Sequence, residues 1–285
     1  MSSYDPSRLD PVPFFSEEEK AELNALAVEY PLTELIERPR VLEERSIDYA
    51  YVSSKIEGST YSKKGVSTLL KYGWTEGGKP LSDALMVLDI NSTFIFIINN
   101  AQDQDAASKA FIKDIHAKTT AHQLRPHEQG LVRKNPVSIA GSDYKPLESP
   151  LQLDAELNYL VDVLKTIADP FEQAAYVHCN LAYLQYFADG NKRTARLMQT
   201  AMLVHGGITP VFMRAEEIDN YLNAVIRYYE EGDRRSYAEL FLRSYRYTID
   251  SLLGRLPEQL QAIAEDEKRL QEAWKKRKER RGRQA

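Results

Sequence analysis

Twelve consecutive residues carry the densest chemistry in this chain: Gln185-Tyr186-Phe187-Ala188-Asp189-Gly190-Asn191-Lys192-Arg193-Thr194-Ala195-Arg196. A short acidic loop, Asp189-Gly190-Asn191, opens into a segment predicted to be helical from about Lys192, with Arg193 and Arg196 three residues apart on one face. The first amides of such a helix have no intrahelical partner, and its dipole is positive there. Gly190 admits close backbone approach, so loop and helix start together form an anion-binding nest. Two guanidinium groups add bidentate grips for phosphate oxygens. Asp189, the one carboxylate of the loop, suits a Mg2+ that takes its other ligands from phosphate and water. This is the chemistry of a bound nucleoside triphosphate. The same residues also suit a common turn followed by an ordinary helix, and the local pattern alone does not separate the two.

The segments that would hold this loop read as helices. Ser16 with Glu19 makes a capping box, and Leu23, Leu26, Ala27 and Tyr30 follow at helical spacing, while Pro6, Pro11 and Pro13 keep the chain before them extended. Further helices are predicted over about 41–57 (stopped by Gly58), 82–100, 106–123, 152–167, 171–186, 192–205, 215–231, 235–253 and 257–280. Residues 129–150 break the pattern. Gly130, Pro136, Gly141, Pro146 and Pro150 punctuate a stretch in which Val137 and Ile139 alternate with Ser138, which predicts a short hairpin or extended flap. The fold class is therefore all-α with one small β element.

The chain has 285 residues, with 43% apolar and 28% charged side chains, an ordinary globular composition. Its longest apolar run, Phe94 to Ile98, is far shorter than the roughly 20 residues of a membrane span, and no secretory leader is evident at the N-terminus. The single cysteine, Cys179, excludes an internal disulfide and a cysteine-built zinc site. A cytoplasmic protein is expected. Residues 268–285 hold nine Lys/Arg against two Glu, leaving 28 basic and 40 acidic residues elsewhere. So acidic a body is a poor nucleic-acid surface, because duplex affinity rests on phosphate neutralisation; only the basic tail could serve one.

The loop resembles the signature of the Fic (Fido-fold) family, His-x-Phe-x-Asp/Glu-Gly-Asn-Gly/Lys-Arg-x-x-Arg. Phe187, Asp189, Gly190, Asn191, Lys192, Arg193 and Arg196 match it. Two further elements resemble the family in the same order. Ser53-Ser54-Lys55-Ile56-Glu57-Gly58 is similar to its inhibitory Ser/Thr-x-x-x-Glu-Gly/Asn motif, and 130–146 to its flap hairpin. The resemblance implies an N-terminal helical region (1–105) carrying the inhibitory helix at about 41–58. A core (106–250) with the flap and signature loop would follow, then a C-terminal helix and basic tail (251–285). It implies that Asp189 holds Mg2+, that Gly190 and Asn191 form the anion hole, and that Arg193 and Arg196 bind the phosphates of ATP. The implied activity is transfer of AMP to a hydroxyl side chain of a target protein, docked by strand addition along the flap at Val137, Ser138 and Ile139. Homodimers are plausible for the family. Ser53 and Glu57, at i and i+4, share a helix face, and a carboxylate there could pair with Arg196 in place of phosphate.

At one position the sequence departs from the family. Where the signature has the histidine that takes the proton from the target hydroxyl, this chain has Gln185. A glutamine amide has no usable basicity, and general-base help is typically worth about 10²–10⁴-fold. His178 lies about 10 Å back along the helix, too far to substitute, and is expected to pack between helices. His116, His122, His127 and His205 have no metal-ligand spacing. Three outcomes stay open: a slow adenylyltransferase, a non-catalytic nucleotide-binding regulator, or a Doc-like phosphotransferase in which Lys192 stabilises leaving phosphate charge.

Overall fold

Serine and aspartate caps set the helix starts of this chain. The computed structural model describes residues 2–255. Among them are α1 (Glu17–Glu29), α2 (Leu32–Ile36), α3 (Pro39–Ile56), α4 (Lys63–Tyr72), α5 (Leu81–Asn100), α6 (Lys109–Thr119), α7 (Pro150–Thr166), α8 (Pro170–Leu184), α9 (Asn191–His205), α10 (Ile218–Glu231) and α11 (Arg234–Leu252). The side chains of Ser16, Ser62, Ser108, Ser149, Asp169 and Asp233 accept hydrogen bonds from first-turn amides of α1, α4, α6, α7, α8 and α11, each such cap typically worth about 1 kcal/mol. The Ser16–Glu19 capping box forms as expected. The fold is all-α.

At the centre, α8 and α9 run against each other, joined by the signature loop. Along α8 every residue from Ala174 to Leu184 is buried, and α9 is buried on nearly all sides by α8, α5 and α6. The main hydrophobic core runs continuously from Leu9, Phe14 and Phe15 through Val52 and Ile56 to Ile249, so the N-terminal helices close the same core as the rest. Helix α5 is long and apolar enough to cross a membrane by length and composition; here it packs against α3, α4, α6 and α9.

Several expectations need correction. The flap hairpin does not form. Among the described residues the one β contact is an isolated parallel bridge between Ser3 and Lys145. The returning limb is already occupied: Lys145 N donates to Ser2 O (2.8 Å) and Lys145 O accepts from Tyr4 N (3.1 Å). Val137, Ser138 and Ile139 therefore lie in unpaired chain, with Val137 and Ile139 half-buried and Ser138 exposed. Pro6–Leu9 is a 3-10 turn capped by Asp5 rather than extended chain. Helices α2 and α4 were not anticipated, and α6 ends at Thr119, short of 123. The predicted helix over 257–280 and the basic tail lie outside the described residues.

Two buried histidines make the fold sensitive to acid. Burial pushes His116 down to about 4 and His178 down to about 3. Both are neutral when folded and bind a proton near pH 6.5 when unfolded, so their contribution is complete above that pH and is lost as pH falls towards the folded values. Well below pH 6.5 each loses about 1.4 kcal/mol per pH unit, and together they lose about 3 kcal/mol between about pH 6.5 and 5. Urea denaturation at the two pH values checks this; an unchanged unfolding free energy would contradict it.

Candidate active site

The loop between α8 and α9 is closed by its own asparagine. α8 stops at Gln185, whose backbone is left-handed (φ 50°), the one non-glycine positive φ among the described residues. Such a conformation costs about 1–2 kcal/mol and persists where neighbours fix it. Asn191 does so: its Oδ1 accepts from Phe187 N (2.9 Å), and its Nδ2 donates to Phe187 O (2.8 Å) and Gln185 Oε1 (3.2 Å). Gln185 Nε2 donates in turn to Ala182 O (2.7 Å), and Arg133 Nε donates to Gln185 O (2.7 Å). Both ends of the Gln185 amide are thus engaged, and neither is a base.

Gly190 turns the chain into α9 at φ 76°, where an added Cβ would stand 2.6 Å from Thr120 Cγ2. Asn191, Lys192 and Arg193 follow as the first residues of α9, one residue earlier than expected, and by position their amides have no intrahelical acceptor. Asp189 presents an exposed carboxylate beside them. Its Oδ1 accepts from Gly190 N (2.6 Å) and its Oδ2 from Arg193 Nη2 (3.0 Å). Arg193 is 2% exposed, and its Nε and Nη1 have no hydrogen-bond partner. Buried guanidinium donors left unmatched by protein are what an anion at this helix start would satisfy.

The second arginine is clasped. Arg196 Nε donates to Ser53 Oγ (3.0 Å), and its Nη2 donates to Ser53 O (3.2 Å) and Glu57 Oε1 (2.8 Å). Lys192 Nζ stands 4.0 Å from Glu57 Oε2. α3 delivers both partners because Ser53 and Glu57 share a face, and because Gly58 (φ 87°) ends the helix immediately beyond. Ser59 N donates to Ser54 O and Gly58 N to Lys55 O, the two bonds of a Schellman stop. Burial opposes ionisation of Glu57, but Arg196, then Lys192 and Arg193, outweigh it and hold the carboxyl below the usual glutamate range. The ion pair is therefore intact at neutral pH and opens only in acid.

For a divalent cation the site offers a single carboxylate, and no cluster of three or more metal-ligating side chains exists among the described residues. That does not fit a metal caged by protein alone. It fits Mg2+ arriving on a polyphosphate, with Asp189 as the protein ligand.

Sequence reasoning missed three supports of the loop. His116 is fully buried on α6; its Nε2 donates to Asp189 O (2.9 Å), its Nδ1 accepts from Gly130 N (2.8 Å), and its ring stacks on Phe187 at 3.7 Å. Lack of metal-ligand spacing said nothing of a bracing role for it. Arg133, which holds Gln185 O, and Tyr221, which meets Arg196, gave no local signal because those partners lie 52 and 25 positions away. His178 packs between helices as expected.

The loop lies within a segment that matches a known family. Residues 106–203 match the model of the Fic/DOC family. The chain is 28% identical over 220 residues to the protein adenylyltransferase Fic of Nematostella vectensis, covering 75% of this chain and 50% of that protein. It thus spans about half the length of the relatives it matches. Its fold is similar to that of Fic-1 (residues 134–508) from C. elegans, with TM-score 0.69 and 23% identity over 84% of this chain and 71% of that one. A Fic family protein from Desulfovibrio desulfuricans superposes with TM-score 0.70 and 19% identity over 85% of this chain and 76% of that one. Residues 106–203, which contain the loop and the arginine pair, are thus a Fic/DOC-type domain by their family match, and the all-α fold is that of solved Fic structures.

Proposed function

We propose that the chain binds MgATP at the start of α9 and that its nominal reaction is transfer of AMP to a hydroxyl side chain of a target protein. The observation that carries this reading is Arg193, buried at the α9 N-terminus with two donor nitrogens unmatched by protein and with the Asp189 carboxylate beside it. In the reaction the target hydroxyl oxygen bonds to the α-phosphorus, the bond from that phosphorus to the bridging oxygen breaks, and pyrophosphate leaves. Arg193, Arg196 and the first α9 amides neutralise the charge that gathers on the phosphates, and positioning of this kind supplies much of phosphoryl-transfer catalysis. Mg2+, held by Asp189, would neutralise further phosphate charge when bound. Because Gln185 accepts no proton, the hydroxyl proton passes to water or to a phosphate oxygen, and turnover is slow. The unpaired chain at Val137–Ile139 leaves backbone groups for an extended segment of the target. In the structure as it stands, Glu57 holds the edge of Arg196 that phosphate would use, and release of that contact precedes binding.

Full engagement of the Gln185 amide favours a second reading, a nucleotide-binding regulator without turnover. Incubation of the Glu57→Gly variant with α- and γ-labelled ATP and candidate target proteins separates the readings. Protein label from the α position is the expected result. Label from the γ position alone would mean phosphate transfer with Lys192 in the charge-stabilising role, and no label alongside measurable ATP affinity would leave the regulator.

A further inference from the structure

The contacts of Arg196 do not all come from α3. Its Nη1 donates to Tyr221 Oη (3.2 Å) on α10, and Tyr221 Oη lies 3.0 Å from His178 Nε2 on α8. Arginine only donates, so the tyrosine oxygen must accept from it, and the single tyrosine proton is left for His178. The histidine can take it because burial keeps its ring neutral. Its ring is held in turn by stacking on Tyr237 at 4.6 Å and 14°. The three groups form an ordered chain, Arg196 to Tyr221 to His178, every member of which is buried. The Tyr221 ring also faces the guanidinium, 5.6 Å from its Cζ, a cation–π distance.

This chain matters most when Glu57 lets go. Arg196 is then a buried cation without its carboxylate, a state that is strongly unfavourable unless other groups hold it. A cavity of about 60 Å³ lies beside it, bordered by Ser53, Gln199, Tyr237 and Ser244, giving the guanidinium room to swing out of register. Against that motion stand Ser53 on α3 and, on α10, Tyr221 with its lone pair oriented by the proton it gives to His178. We propose that Tyr221, backed by His178, is the positioning residue that keeps Arg196 aimed at the nucleotide phosphates once Glu57 has withdrawn. The inference rests on the ATP-binding reading and adds to it the element that presets the second arginine.

The test uses the Glu57→Gly protein as parent and reads ATP affinity with Mg2+ by titration calorimetry, folding being followed by melting temperature. Tyr221→Phe keeps the ring and removes the hydroxyl; ATP binding weakens about tenfold, the effect of a hydrogen bond to a charged group. In an Arg196→Ala background the same change has no further effect, because Tyr221 acts only through that arginine, and such non-additivity separates positioning from general structural damage. His178→Gln, which retains an acceptor, keeps affinity within about threefold, whereas His178→Leu falls as Tyr221→Phe does. This histidine pair answers the question even if Tyr221→Phe folds poorly. Additive losses in the cycle, or ATP binding by folded Tyr221→Phe equal to that of the parent, would overturn the inference alone. A parent that binds no ATP would overturn the nucleotide-site reading, and the inference with it.

Discussion

Replacing Gln185 with histidine raises AMP transfer by about 10²–10⁴-fold over the natural chain, the range that a positioned general base supplies. The position is ready for it. Its left-handed backbone is one that histidine tolerates better than most residues, and that backbone is held by Arg133 Nε on the Gln185 carbonyl as well as by the side-chain amide. Asn191 keeps both of its bonds to Phe187 whatever stands at 185, so the loop survives the exchange. The measurement is incorporation of α-label into target protein, with the Glu57→Gly change present in both proteins. Undiminished ATP affinity without a gain in labelling would show that the missing base is not what limits this site.

Glu57→Gly has the second large effect, and it runs in two directions. Without nucleotide the variant melts lower, because breaking a buried ion pair by removing one partner typically costs about 3–5 kcal/mol; the Glu57 and Arg196 side chains are only 14% and 8% exposed. With MgATP present the phosphate takes the place of the carboxylate on Arg196, and ATP affinity rises by about tenfold or more, the scale of one charged hydrogen bond. Thermal melts with and without MgATP, set beside calorimetric titrations of both proteins, check the pair of effects. Equal dissociation constants for the two would remove Glu57 from any inhibitory role.

Much of this could be read before the structure. Helix periodicity and caps placed α1, α3, α5 and α7 to α11 within a few residues, since those signals are local. The Arg196–Glu57 contact joins residues 139 positions apart, and it was legible only because both segments resemble motifs of one family. Helices α2 and α4 escaped notice, although Ser62 and Gly73 are the start and stop of α4. The flap misled for a physical reason. Alternating Val137-Ser138-Ile139 marks extended chain, but whether extended chain pairs with itself depends on what else is near, and here Ser2 and Tyr4 reach Lys145 first. His116 and Tyr221 belong to the same class, residues whose roles come from partners 73 and 25 positions away.

Calorimetric titration of the Glu57→Gly protein with ATP and Mg2+ decides whether a polyphosphate settles at the head of α9. A saturable heat is expected, lost on Arg193→Ala, with a stabilisation of about 2.7 kcal/mol once ATP is a hundredfold above its dissociation constant. No heat and no shift in melting temperature, with the protein folded and its glutamate gone, would contradict the site.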